Sequence, residues 1–231
     1  QMGAMTSDQI NSLSTSQLGS FSGSQISSIS TQALGDIATQ SVKALSVRQI
    51  QALTTDQIIA LIGDQMSALS TSQVSNLTAQ QIGAIETRDL VVMDTSQIGA
   101  MTATQVSSLK TGQISALTSS QLRSLDVGDI AKLSSSQVNV LDTSQIAALS
   151  TSQVAILSNQ IVAAMGSAQI AALDVSIAKL GNTSLAALNT NQVSAITTDQ
   201  LRSLSTTQIG LISTAAFSSL NTNQISNLKT C

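Results

Sequence analysis

Histidine, proline, tryptophan and tyrosine are missing from this 231-residue sequence, and phenylalanine occurs only as Phe21 and Phe217. Without histidine there is no imidazole to act as a general base or to ligate a metal. Without aromatic rings there is nothing on which nucleic-acid bases could stack. The nine Lys and Arg residues are scattered singly from Lys43 to Lys229, so no basic stripe faces a phosphate backbone, and the net charge is −3. Both observations speak against a nucleic-acid partner. The one cysteine is Cys231, which excludes an internal disulfide; an added handle, a truncation point or an intermolecular disulfide are the readings left for it. No apolar run approaches the roughly 18–20 residues of a membrane span, and no signal-peptide pattern opens the chain, which starts in phase with its own repeat, as a fragment or processed segment would.

What is present is an eight-residue unit. From Gln9 it runs Gln-Ile-x-x-Leu-Ser-Thr-Ser and returns at Gln17, Gln25, Gln49, Gln57, Gln65, Gln73 and Gln81, holding its phase as far as Gln224. Hydrophobic residues make up 42% of the chain and fall at fixed places in the unit, which a disordered tract has no reason to maintain. A short strict repeat implies a solenoid, array or fibre. The chain therefore reads as a single domain over 1–231, with an irregular stretch at 153–175. There the repeat runs seven residues from Gln153, nine from Gln160 and seven from Gln169, with the core kept as Val154, Leu157, Ile161, Met165, Ile170, Leu173 and Ile177.

With Gln as position 1, positions 2 and 5 are apolar throughout: Ile10 and Leu13, Ile26 and Ile29, Ile50 and Leu53. A spacing of three puts both side chains on one face of a helical turn and on opposite faces of a strand. A continuous helix fails, because eight residues at about 100° each rotate the apolar stripe by about 80° per repeat. The interruption is written at position 6, where Ser14, Ser22, Thr54, Ser70, Asp94, Thr102, Asp142 and Ser150 are good N-caps. Glutamine follows three residues later as the reciprocal partner of a capping box, and the apolar residues before and after the cap, such as Leu13 and Leu18, form a hydrophobic staple. Small residues at position 4, such as Ala44, Ala52, Ala60 and Ala84, let neighbouring elements approach.

The expected fold is all-α: a solenoid of short capped helices, one per octad and two octads per coil. Helices this short must stack to survive. The alternative is a β-solenoid with strands in the Ser/Thr-rich half, which Ile, Val and Thr would suit.

No chemistry is spelled out. Carboxylates occur singly (Asp8, Asp36, Asp56, Asp64, Glu86, Asp89, Asp94), and the regular ones sit where caps and first turns use them. Phosphate-binding Gly-rich loops and GxSxG are absent. No catalytic, cofactor-binding or metal-ligating residue is assigned, no cofactor is implied, and an enzyme is not expected. Position 7 is often threonine (Thr15, Thr31, Thr39, Thr55, Thr71), a hydroxyl row broken along the sequence by Gly23, Val47, Gly63, Ala79 and Val127. Seven octads replace the glutamine, with Ala33, Ser41, Asp89, Asp129, Ser176, Ser184 and Ala216.

The Ser/Thr-x-x-Gln-Ile/Val-x-x-Leu units at Thr54–Leu61, Ser70–Leu77 and Ser150–Leu157 resemble octapeptide tracts of very large bacterial secreted and surface proteins, adhesin-like or haem-utilisation-like in description. The resemblance covers the whole chain and implies a bacterial, extracellular or cell-surface setting. It transfers no functional residue, and the haem description finds no His, Tyr or paired Met here. The expected function is a structural repeat protein: an extracellular rod, fibre or filament, or the stalk of a surface adhesin, associating end to end. The alternative is a binding module whose Ser/Thr/Gln face contacts a glycan, a host protein or ice.

Overall fold

Each octad folds as one short helix because its cap, its glutamine and its two apolar residues agree. In Thr55–Ala60 the Thr54 hydroxyl accepts the Gln57 amide hydrogen at 3.2 Å, and the Gln57 Oε1 accepts the Thr54 N–H at 2.9 Å. The helix stops after six residues: Leu61 and the residue before the cap of each such helix turn extended, as Leu53 does with φ −59 and ψ 135 ahead of Thr54 at φ −71 and ψ 163. Two extended residues in succession make the corner, so no left-handed residue is needed. Among the described residues only Asp174 has a positive φ, and no glycine does. That is why the repeat can turn once per octad with so little glycine. Replacing Thr54 by Ala should cost about 1 kcal/mol in urea unfolding; an unchanged midpoint would mean that the glutamine half of the box holds the corner alone.

The computed structural model describes residues 2–228. Among them all regular structure is helical, with no strand, so the all-α solenoid is correct and the β alternative is not. The chain divides into two compact units, residues 1–117 and 118–231.

In the first unit a helix packs on the third helix along. Thr31–Gly35 carries Thr55–Ala60, which carries Ala79–Ala84 and then Ala103–Ser108; Gly23–Ser27 carries Val47–Ala52 in the next row. The coil thus closes after three octads, where two were expected. A helix of six residues is only about 9 Å long, and each brings two large side chains inward. Three such sides enclose a compact apolar prism, whereas two would face each other as a thin slab. The inward pairs Ile50 and Leu53, Ile58 and Leu61, and Ile82 and Ile85 are all buried. Close approach is also visible: a Cβ on Gly23 would lie 2.8 Å from the Ala52 Cβ in the coil above.

The second unit repeats this. Ser135–Asn139, Asn159–Ala164 and Asn182–Ala186 form one row, and Thr151–Ala155, the 3-10 helix Asp174–Lys179, Thr198–Ser203 and Thr222–Ser226 another. The irregular stretch is simpler than its sequence suggests. Ser158 caps Asn159–Ala164 with its hydroxyl 3.3 Å from the Ile161 amide nitrogen, so Ile161 occupies the glutamine position and Val162, fully buried, is the inward residue with Met165. The eight-residue phase is unbroken through this helix. Gln160 misled because it stands one place early, next to an isoleucine. The one real loss is a single residue after Gln169, absorbed by Asp174 at φ 49 and the 3-10 turn that follows. Aspartate tolerates that left-handed conformation better than most residues.

Candidate functional site

The recurring polar feature of the structure is the buried corner glutamine, and its carboxamide does more than cap. In the first unit Gln57 Nε2 donates to the Ile26 carbonyl at 2.9 Å and to the Ile29 carbonyl at 2.8 Å, in the coil below. Gln81 reaches Ile50 and Leu53 at 2.8 Å each, and Gln113 reaches Ile82 and Ile85 at 2.9 and 2.8 Å. Those acceptors lie 31 and 28 residues back and are positions 2 and 5 of an octad. Both amide hydrogens and the carbonyl oxygen are therefore satisfied although the side chain is almost fully buried. In the second unit Gln169 reaches Val138 and Leu141 in the same register, while Gln192 reaches Val162 and Met165 at offsets of 30 and 27. The offset falls by one because the missing residue lies between them.

Sequence reasoning found the cap and missed the bond between coils. The signal was there: a capping box accepts Glu or Gln, yet no octad carries Glu at this position. Only an amide supplies an acceptor to the corner below it in sequence and two donors to the coil beneath.

The exceptions show what the position demands. At Ser41 the glutamine is missing, and Ala38, the cap, has no side-chain acceptor. Asn11, from the coil below, takes over in part: its Oδ1 accepts the Ala38 N–H at 2.8 Å, and its Nδ2 donates to the Asp36 carbonyl at 3.3 Å, so that a bond between the coils is kept in the opposite direction. Ser184 donates its hydroxyl to the Leu157 carbonyl at 2.7 Å. At Ile62, Lys110 and Gly166 the cap itself is lost and only the glutamine half of the box remains. The Asn11 arrangement predicts coupling. Asn11→Ala should cost about 1–2 kcal/mol, and Ser41→Gln should recover most of it; strictly additive effects in a double-mutant cycle would refute the compensation.

Asp89 and Asp129 stand at the glutamine position and are buried. Burial pushes the Asp89 carboxyl above the usual carboxylate range; the Arg88 guanidinium opposes this, and the Glu86 charge adds to it. Burial likewise raises Asp129, opposed by the hydrogen bond from the Asp126 N–H to its Oδ2 at 2.9 Å and reinforced by the Asp126 charge.

Beside Asp89 an open groove of about 640 Å³ is lined by Ile59, Gly83, Glu86, Arg88, Lys110 and Gly112 among others, with Arg88 and Glu86 paired at 2.7 Å. Among the described residues no three His, Cys, Asp or Glu side chains gather as a metal site would require, and no helix is long and apolar enough to cross a membrane. Asp8, Asp36, Asp56 and Asp64 are exposed. Cys231 lies outside the described residues.

A family model described as the ALTTAQ repeat matches the chain four times, at residues 34–71, 82–119, 122–159 and 195–230. No curated protein matches the sequence.

Proposed function

The chain belongs to the ALTTAQ repeat family, and from that premise we propose that it is a structural repeat protein, working outside the cell as a rod, fibre or filament, or as the stalk of a bacterial surface adhesin. The observation that carries this reading is the corner glutamine. Among the described residues the buried polar side chains stand at this one position, where glutamine ties one coil to the next within a unit. Coils held together at most of their corners within a unit are suited to carrying a load or setting a distance. An antibody raised against the chain should label intact, unpermeabilised cells of the source organism. Labelling that appears only after permeabilisation would sink the extracellular reading.

A second reading, a binding module contacting a glycan, a host protein or ice, is favoured by one observation. Because the coil has three sides, threonines scattered along the sequence fall into rows. Thr15, Thr39, Thr87 and Thr111 are exposed and each opens a helix of the same row, so that of the sequence breaks in the first unit only Gly63 interrupts it. A Thr39→Lys, Thr87→Lys variant that lost binding on a glycan array, or lost inhibition of ice recrystallisation, would favour this reading; a wild-type chain inactive in both assays would remove the glycan and ice forms of it.

A further inference from the structure

One side of the first unit departs from the repeat in a way that the other two sides do not. Its helices are Thr15–Gly19, Thr39–Ala44, Gly63–Ser67, Thr87–Leu90 and Thr111–Ala116, the row that carries the threonines. Ser14 caps the first of them, but Ala38, Ile62, Glu86 and Lys110 stand at the caps that follow, and none makes a side-chain bond to its helix. On one neighbouring side Thr6, Ser30, Thr54, Thr78 and Thr102 all make that bond. On the other, Ser22, Ser46, Ser70 and Asp94 make it too. A missing cap lowers the stability of its helix, and departures of this kind gather where a surface serves something other than the fold.

The exposed apolar residues fall in the same place. Among the described residues of the first unit, the large apolar side chains left exposed are Ile59, Ile62, Val91 and Val92. Ile62 is one of the replaced caps, Val91 and Val92 follow Thr87–Leu90, and Ile59 belongs to Thr55–Ala60, the helix that leads into this side. Ile59 also lines the groove of about 640 Å³ with Lys110 and Gly112, and a second groove of about 430 Å³ shares its Ile59, Gly83, Ala84 and Lys110. Gly83 and Gly112 lie inside helices, where glycine is unfavourable. The backbone requires glycine at neither, because no glycine here has a positive φ. A Cβ at Gly83 would make an ordinary contact, 3.7 Å from the Ser108 carbonyl oxygen, and one at Gly112 would meet nothing within 4 Å. What the two glycines do is keep the groove open.

We infer that this groove binds a polypeptide segment of a partner protein, one that places an aliphatic side chain beside a carboxylate. Exposed aliphatic side chains grouped among polar ones mark protein contacts. Charge selects the acidic residue. The basic residues of the first unit are Lys43, Arg48, Arg88 and Lys110, and of these Arg88 and Lys110 line the groove with Glu86 as its carboxylate. Glu86 holds Arg88 at 2.7 Å, whereas Lys110 is exposed and has no ion pair among the described residues. Lys110 is therefore the group that receives the partner's carboxylate. This inference rests on the binding-module reading above and names the protein among its three occupants.

The test pans a phage-displayed library of random dodecapeptides against the immobilised 231-residue chain, then measures the selected peptides by fluorescence anisotropy. Peptides that pair Leu, Ile or Val with Asp or Glu are expected. Gly112→Leu fills the groove from a position whose Cβ meets no neighbour. Lys110→Glu reverses the charge and keeps the backbone N–H that Gln113 accepts. Each should raise the Kd about tenfold or more, whereas Gly128→Leu, at the same place of the octad in the second unit and equally open, should leave it unchanged. Circular dichroism checks that melting is the same in all three. A peptide whose carboxylate is replaced by lysine should regain binding to Lys110→Glu. Selected peptides that bind both groove variants as tightly as the wild type would overturn the site, and a consensus without a carboxylate would overturn its chemistry. A chain that selects no peptide but binds a glycan array would overturn this inference and leave the binding-module reading standing. Silence in the peptide, glycan and ice assays together would remove both.

Discussion

Gln105→Ala is expected to destabilise the first unit by about 3–5 kcal/mol. The side chain is 3% exposed; its Oε1 accepts the Thr102 N–H at 2.7 Å, and its Nε2 donates to the Val74 and Leu77 carbonyls at 2.8 and 2.7 Å. With the Thr102 hydroxyl, which also donates to Oε1 at 3.2 Å, truncation removes four hydrogen bonds at once and leaves two interior carbonyls facing a cavity. Gln105→Glu separates the two roles of the amide. The isosteric carboxylate can still accept from Thr102 but turns a charged acceptor toward two acceptors. Its folded-state pKa should therefore rise above the ordinary glutamate value of about 4.3. A raised pKa means that the folded chain binds the proton more tightly than the unfolded one. The variant is then most stable below about pH 4 and loses stability as pH rises through the folded value. Urea unfolding from pH 3.5 to 7 would show this as a steeper loss of stability with rising pH than the wild type, with its buried Asp89 and Asp129, displays. A Glu variant as stable as wild type at pH 7 would mean that the bonds between coils contribute little.

Asp89→Gln runs in the opposite direction, and a gain of about 2–3 kcal/mol at pH 7 is expected. The register of its neighbours brings the carbonyls of Ile58 and Leu61 to this position, and among the described residues neither receives a side-chain donor. Asp89 is shorter than glutamine by one methylene and, when ionised, has nothing to donate. The Arg88 guanidinium reaches it only at 3.5 Å from an exposed position, which is worth little. Because burial raises its pKa, whatever stability protonation of Asp89 confers is full below the unfolded value of about 3.9 and fades as pH rises through the folded one. Asp89→Asn should remove that pH dependence without the full gain, since its amide stays too short to reach both carbonyls. A Gln variant no more stable than wild type at pH 7 would show that the corner at Glu86 has relaxed around the aspartate and no longer needs the amide.

These two substitutions probe the same physical fact, that a buried polar group is cheap only when all of its valences are met. The chain meets them with one residue type in most octads and with local substitutes in the rest. Asn11 serves the Ala38 corner from another coil, and Ser184 makes a single bond where glutamine makes two. Ile161 takes the other course: an apolar side chain stands at the glutamine position, with no polar group of its own to satisfy and no amide to offer the coil below.

Local chemistry was legible in the amino-acid sequence alone. The spacing of Ile10 and Leu13 required a helical turn, the rotation of that stripe required an interruption, and Ser14 with Gln17 located it. Each of those inferences concerns residues within one octad of each other, where backbone geometry leaves few choices. The number of octads per coil was not legible, because two-sided and three-sided coils bury the same positions and use the same caps. Nor was the second role of Gln57, whose acceptors stand 28 and 31 residues away, nor the service that Asn11 performs for Ala38. The sorting of Thr15, Thr39, Thr87 and Thr111 into one row followed only once three sides were established. Distances along the chain determine which short helices form. Which of them meet is decided by closure of the coil, where the volume of two inward side chains per side and the reach of one carboxamide must be satisfied together.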